Sequence, residues 1–528
     1  MRTDSVKAPF SNRTLAGSIG RNTVFGIIAS VVQVATRLVT VPIVIAHLGL
    51  GGYGIWSIIL VTSTYMRFGS IGIKSAFQKY VAEATGNGNY QAASKLLSTG
   101  TAVMLGLSIC GLIPAAIFSE QIAKASGVPP EFLHSSAQAI SILALIMVLS
   151  NTGAAYEAIV LGGHRIDLTR QFSTFVCVAE AVGIVAAMHF GGGLFALALV
   201  ICASEIAYVF CCYLASHRVV PELRMSRRQI ARDTLPELIR FGGSYQLVNI
   251  LQMIYGAIAP IAILKAYGAN SAGVYAVATR LVSPVMMAHS AFIVPILSSS
   301  AMVYASGSLE RMRRLVEKSF KITLFLTLLP LALVSAFGTY LILAWTGQTG
   351  PLFRGSLWLV SLATLFQAFS LLGLVLYRAS GRALMDNIRE IIRILILLLV
   401  VLGAPWLGFY GILAGIATAE LVGMIFMLFA LTKTYSAFQL KSLLPEFLRL
   451  AMATLGVVAV GAIAAKISFP SVSSLRTLAT LKAGTICLAT TLSVYPALYL
   501  TGALTKSEMD SLLAVFRKRP STPIETGE

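Results

Sequence analysis

Predominantly apolar stretches of eighteen or more residues recur along this chain from one end to the other. In hydrocarbon no water satisfies backbone N–H and C=O groups, so each stretch must bond within itself as a helix. At about 1.5 Å per residue, about 20 residues cross a bilayer core of about 30 Å. Fourteen candidate spans can be placed, at roughly 22–47, 54–73, 97–119, 137–161, 171–189, 192–214, 241–264, 271–298, 322–345, 355–377, 391–407, 410–432, 450–467 and 477–500. With 57% hydrophobic and only 12% charged residues, the chain has too little charge to cover a soluble surface. The fold class is therefore an all-α polytopic membrane protein. The first run is too long for a signal peptide and lacks a clear cleavage site, so it is expected to remain as a spanning helix.

The net charge of +19 invites a nucleic-acid reading. No soluble segment is large enough to form a domain for that task, and the basic residues gather in loops. If the N-terminus is cytoplasmic, about three quarters of the 40 Lys and Arg fall on the inside. The positive-inside rule then places both termini in the cytoplasm. The most basic inside loop, "SHRVVPELRMSRRQIARDTLPELIR" (216–240), separates spans six and seven. The expected organisation is an N-terminal lobe (1–214), a basic linker (215–240), a C-terminal lobe (241–432), two further spans (433–500) and a cytoplasmic tail (501–528).

The two halves repeat each other. "LGLGGYGIWS" (48–57) matches "YGANSAGVYA" (267–276) at an offset of 219, pairing Gly49 with Gly268, Gly54 with Gly273 and Trp56 with Tyr275. The same offset carries Gly88 onto Gly307, and an offset of 218 carries Gly163 onto Gly381 and Gly193 onto Gly411. Six spans per half is an even number, so the repeats are parallel and related by an axis along the membrane normal.

One arginine stands in the middle of the first span, in "SVVQVATRLVTVPIV" (30–44). A charge there is costly unless it faces water, a partner or a substrate. Gly26, Ser30, Gln33, Arg37 and Thr40 follow one another at +4, +3, +4 and +3, one face of a helix. Span seven carries the corresponding stripe in Tyr245, Asn249, Gln252 and Gly256. Two polar stripes on repeat-related helices suit the lining of a water-accessible cavity; the alternative use is helix-to-helix hydrogen bonding. Arg280 and Arg67 either face that lumen or snorkel to the headgroups, and Lys482 snorkels near a helix end. Glu157, Glu180, Glu205 and Glu420 are intramembrane carboxylates. They either pair with the arginines, or take up a proton or Na⁺ during a cycle, or bond statically between helices.

The six cysteines (Cys110, Cys177, Cys202, Cys211, Cys212, Cys487) lie in apolar runs, without CxxC spacing or clustered histidines. They read as small core hydrophobes, with neither a disulfide framework nor a metal site. No GxxxxGK[ST], HExxH or GxSxG occurs, so neither a P-loop ATPase nor these catalytic constellations are present. The outside loops are short, unlike those that carry the site of a membrane glycan polymerase.

"RNTVFGIIASVVQVATRLVTVPIVIAHLGLGGYGIWSIIL" (21–60), "FGSIGIKSAFQKYVAEATGNGNYQAASKLL" (68–97), "VLGGHRIDLTRQ" (160–171) and "FYGILAGIATAELVGMIFML" (409–428) resemble the Wzx-type polysaccharide exporters of the multidrug/oligosaccharidyl-lipid/polysaccharide superfamily. The resemblance covers nearly the whole chain. It implies two six-helix lobes forming a V, plus two C-terminal helices, in the bacterial inner membrane. It implies alternating access that moves an undecaprenyl-pyrophosphate-linked oligosaccharide, an O-antigen or exopolysaccharide repeat unit, from the cytoplasmic to the periplasmic leaflet. A polysaccharide polymerase and chain-length machinery are the implied protein partners. No cofactor is implied beyond a coupling H⁺ or Na⁺. A cationic cavity is also implied, and Arg37, Arg67 and Arg280 are the positions able to supply it. A lipid II flippase or a multidrug antiporter of the same superfamily, and a membrane glycan polymerase, are the competing readings. The antiporters typically have twelve spans and favour cavity acids, whereas this chain has fourteen spans and a central arginine.

Overall fold

The computed structural model describes residues 12–67, 71–378, 384–434, 444–467, 469 and 474–503. Among these residues it is helical, without strands. The helices are α1 (Asn12–Arg67), α2 (Ile71–Asn87), α3 (Tyr90–Ile117), α4 (Ser119–Ala125), α5 (Pro130–Gly162), α6 (Ile166–His189) and α7 (Leu194–Val219). They continue with α8 (Leu235–Ala305), α9 (Leu309–Thr346), α10 (Pro351–Arg378), α11 (Leu384–Leu402), α12 (Ala404–Thr434), α13 (Leu444–Ala464) and α14 (Leu475–Leu500). Eleven helical segments among the described residues are long and apolar enough to cross a membrane.

Two of the eleven, Ile28–Val61 and Leu247–Ala305, run for 34 and 59 residues, beyond the length of one crossing. Each is broken by a glycine: Gly49 at φ 72°, ψ 171° in α1, and Gly268 at φ 81°, ψ 175° in α8. That backbone region is essentially closed to residues with a Cβ. Each long helix is thus two arms joined at a glycine. Counting the arms separately and adding the four-charge helix α11, which is not among the eleven, gives fourteen segments among the described residues.

The paired glycines share more than sequence position. Gly88 and Gly307 also match, at φ 76° and 67°. The next residues, Asn89 and Ser308, cap α3 and α9 by accepting from the N–H three residues on, at 3.3 and 3.4 Å. Such caps satisfy amides that the first helical turn leaves open. Core residues correspond too. Phe77, Ala93 and Leu97 pack in one cluster, and their counterparts at +219, Ile296, Met312 and Val316, pack in another. Gly381, the expected mate of Gly163, lies outside the described residues.

The chain divides into two compact units: Met1–Val277 with Ala383–Ala419, and Ala278–Arg382 with Glu420–Glu528. In the first, α5 is the hub, packed against α1, α2, α3 and α7, while α6 runs along α1 and α7. Small residues permit the close approaches. A Cβ on Gly153 would sit 2.6 Å from Val209, and one on Gly162 2.5 Å from Val81. In the second unit, α9 packs against α10, α13 and α14.

The basic linker is an ordered strap on α3. Ser94 Oγ accepts from Arg224 N (3.3 Å), Ser98 Oγ from Ser226 N (3.1 Å) and Thr99 Oγ1 from Ala231 N (2.9 Å). Val220 and Leu223 enter the core cluster of Phe77 and Leu97. Arg218, Arg224, Arg227 and Arg228 remain exposed on its outer side.

Candidate functional site

Four deeply buried charges of the first unit stand together on α11. Asp386, Arg389, Glu390 and Arg393 share one helical face, and each is at most 3% exposed. Ile391, Leu395, Leu398 and Leu402 are exposed on the opposite face, as suits contact with lipid. Buried charges persist only when paired and hydrogen-bonded. Here Glu390 supplies the pairing: Arg389 Nη2 donates to Oε1 and Arg393 Nη1 to Oε2, the latter at 2.6 Å.

The polar stripe of α8 completes the arrangement. Gln252 Nε2 donates to Glu390 Oε1 at 3.4 Å. Three residues on, the ring of Tyr255 lies 3.8 Å from the Arg393 guanidinium, a cation–π stack. Two planar guanidiniums and an amide therefore surround one carboxylate, with an aromatic face against Arg393. Guanidinium forks suit carboxylate and phosphate oxygens, so the face can hold an anion.

The other expected positions are distributed as follows. Arg37 is half-buried on α1, one residue beyond Thr36, whose Oγ1 lies 3.2 Å from Cys177 Sγ on α6. Glu180 stands three residues further along α6 and is half-buried. Ser30 is exposed and its hydroxyl donates to Gly26 O at 3.0 Å. Gln33 and Thr40 are half-buried, and Gln33 O accepts from Thr36 Oγ1 at 3.1 Å. Asn249 is half-buried and Gln252 is exposed. Glu157 has a cationic partner, but it is a lysine: Lys74 Nζ reaches Oε2 at 2.6 Å. Glu205 and Glu420 are buried on α7 and α12. Arg280 is half-buried on α8, in the second unit. The side chains of Arg67 and Tyr245 lie outside the described residues. The six cysteines are free thiols.

Sequence reasoning missed Asp386, Arg389, Glu390 and Arg393. The signal was present: four charges spaced 3, 1 and 3 residues apart, running from just before the expected span eleven into its first turn, all on one face.

A second cluster joins the repeats. A Cβ on Gly54 would lie 2.5 Å from Ala269 O and 2.5 Å from Gly273 N, and one on Gly273 would lie 2.2 Å from Leu50 O. Leu50 and Ala269 are themselves mates at +219, as are Gly54 and Gly273. The contact is self-complementary, the mark of a local two-fold axis. Beside it Tyr267 donates to Ala404 O and meets Phe409 edge-on, with ring centroids 6.1 Å apart.

Comparison with solved structures identifies the fold. An inward-facing multidrug resistance MATE family transporter of the MOP superfamily superposes with a TM-score of 0.67 at 14% identity, covering 77% of this chain and 98% of that one. The lipid II flippase MurJ in an inward closed conformation gives 0.63 at 13%, covering 90% and 98%. A MOP superfamily transporter from Pyrococcus furiosus, described as having a binding pocket of reverse polarity, gives 0.60 at 15%, covering 80% and 96%. A search of curated proteins finds no match. The profile of the polysaccharide biosynthesis protein family matches residues 48–349, more than half of the chain. This chain, built on the MOP superfamily fold, therefore belongs to the polysaccharide biosynthesis protein family.

Proposed function

We propose that this protein is a flippase. It carries an undecaprenyl-pyrophosphate-linked oligosaccharide, an O-antigen or exopolysaccharide repeat unit, from the cytoplasmic to the periplasmic leaflet of a bacterial inner membrane. The observation that carries this reading is the buried guanidinium face of Arg389 and Arg393 in a chain of this family. A pyrophosphate is costly to move through a low dielectric unless cations meet it on the way. Arginine forks meet phosphate oxygens two at a time. Arg37, Arg67 and Arg280 are the further candidate cations for the same headgroup. Ser30, Gln33, Thr40, Tyr245, Asn249 and Gln252 offer hydrogen bonds to sugar hydroxyls, while the polyprenyl tail stays in lipid.

Alternating access between the lobes at 1–214 and 241–432 would drive the crossing, with both termini in the cytoplasm. Glu157, Glu180, Glu205 and Glu420 are the candidate sites for H⁺ or Na⁺ coupling. A polysaccharide polymerase with its chain-length machinery would receive the product. A lipid II substrate is the second reading, favoured by the 90% coverage of this chain by the lipid II flippase. The multidrug resistance MATE family transporter superposes over 77% of it.

The test is leaflet accessibility of lipid-linked glycan in a deletion strain, read with a membrane-impermeant probe. The proposal expects the intermediate to accumulate in the cytoplasmic leaflet with loss of surface glycan. If the intermediate reaches the periplasmic face unpolymerised and no second flippase accounts for it, the protein is a polymerase. Complementation of a strain lacking its lipid II flippase separates the two substrates.

A further inference from the structure

An anion site in a membrane has a difficulty when it is empty. Two guanidiniums a turn apart would then face each other unneutralised in a medium that screens poorly. On α11 the difficulty is already met. Glu390 is fully buried, and each of its oxygens is engaged: Oε1 by Arg389 and Gln252, Oε2 by Arg393. With Asp386 on the same face, the formal charge of the four side chains sums to zero.

We propose that Glu390 is an internal stand-in for the substrate's anionic group, holding Arg389 and Arg393 while the site is empty and yielding them when a diphosphate arrives. This inference rests on the flippase reading above and adds how the empty site is neutralised and how cargo is released. A neutral sugar cannot take both guanidiniums from a carboxylate. A single carboxylate or a phosphodiester, each with one negative charge, offers no advantage over Glu390. A diphosphate carries more charge and enough oxygens to occupy both forks at once, so it competes effectively. On release, Glu390 reclaims the arginines. Binding is thereby weakened, and the weakening lets cargo leave, as conduction through any binding site requires. Nothing covalent changes; two charge-assisted pairs are exchanged for two others.

The experiment is calorimetric titration of the purified full-length protein with inorganic pyrophosphate, alongside transport of the lipid-linked substrate in vesicles. Glu390→Gln is near-isosteric and removes the competing charge. It should bind pyrophosphate at least tenfold more tightly than wild type and transport more slowly. Glu390→Asp keeps the charge on a stem one methylene shorter, too short to serve both arginines, and should fall between the two. Adding Arg393→Ala to Glu390→Gln should remove the gain. If folded Glu390→Gln binds pyrophosphate no more tightly than wild type, the stand-in role is overturned. If Glu390→Gln does not fold, Glu390→Asp decides by the same comparison. Undecaprenyl pyrophosphate should compete with inorganic pyrophosphate. Failure to compete would mean that the site takes a soluble diphosphate and would overturn the lipid assignment. Normal transport by the Arg389→Ala/Arg393→Ala variant would instead refute the flippase reading of this site, whatever Glu390 does.

Discussion

The closest approach between the repeats tests the geometry most directly. Gly273 has ordinary helical backbone, so alanine there carries no torsional penalty. Its Cβ would lie 2.2 Å from Leu50 O, 2.8 Å from Leu50 Cγ and 2.9 Å from Leu50 C. Carbon atoms in contact prefer about 3.5–4.0 Å. The two helix arms must therefore part by roughly 1 Å, and the obstacle is backbone that no rotamer change removes. Overpacking costs about 1–3 kcal/mol, and a rigid obstacle places Gly273→Ala toward the upper end. Alanine's helix propensity returns only about 0.5–1 kcal/mol. A net loss of about 2 kcal/mol follows. It should lower the thermal unfolding midpoint followed by size-exclusion chromatography in detergent. Gly456→Ala on α13 is the control, since nothing lies within 4 Å of its added Cβ; its midpoint should hold or rise. Gly54→Ala should behave like Gly273→Ala. The double variant should cost less than the sum, because one separation of the arms relieves both clashes. A Gly273→Ala protein as stable as wild type would mean that these arms do not cross where the glycines place them.

Three further outcomes follow from other parts of the molecule. Gly268→Ala meets no atom within 4 Å, yet it forces a Cβ onto φ 81°, ψ 175°. It should cost about 1–3 kcal/mol by torsion alone, read in the same unfolding assay. Ser98→Ala/Thr99→Ala removes acceptors for Ser226 N and Ala231 N, at about 1 kcal/mol per bond. Limited trypsin digestion should then cut the strap faster at the exposed Arg224, Arg227 and Arg228, and an unchanged rate would show that the hydroxyls do not hold it. Arg37→Ala should abolish transport in a reconstituted assay while insertion and expression stay normal. Normal transport would remove Arg37 from the path.

Much of this architecture is legible along the chain alone, because it depends on near neighbours. Span length follows from unbroken apolar runs. The halves are related by glycines whose positions repeat at 219, and the structure gives Gly49 and Gly268 backbone angles within 10° of each other and sets Gly54 against Gly273. Glycine can announce such places in a sequence because no other residue tolerates them. The stripe on span seven is legible for the same reason, as a period along one helix.

What the sequence could not determine was which helices meet. Gln252 and Glu390 are 138 residues apart, and Thr99 and Ala231 are 132 apart. Helical periodicity states which face a residue shares with its own neighbours, not which other helix that face adjoins. Arg37 stands out because it is alone in an apolar run. Arg389 and Arg393 do not, because they stand where a loop gives way to a span, a place where charged residues are common. Only the folding of α11 against α8 turned those end-of-span charges into a buried pair about one carboxylate. In a bilayer such a pair is stable only when the tertiary structure supplies its partners.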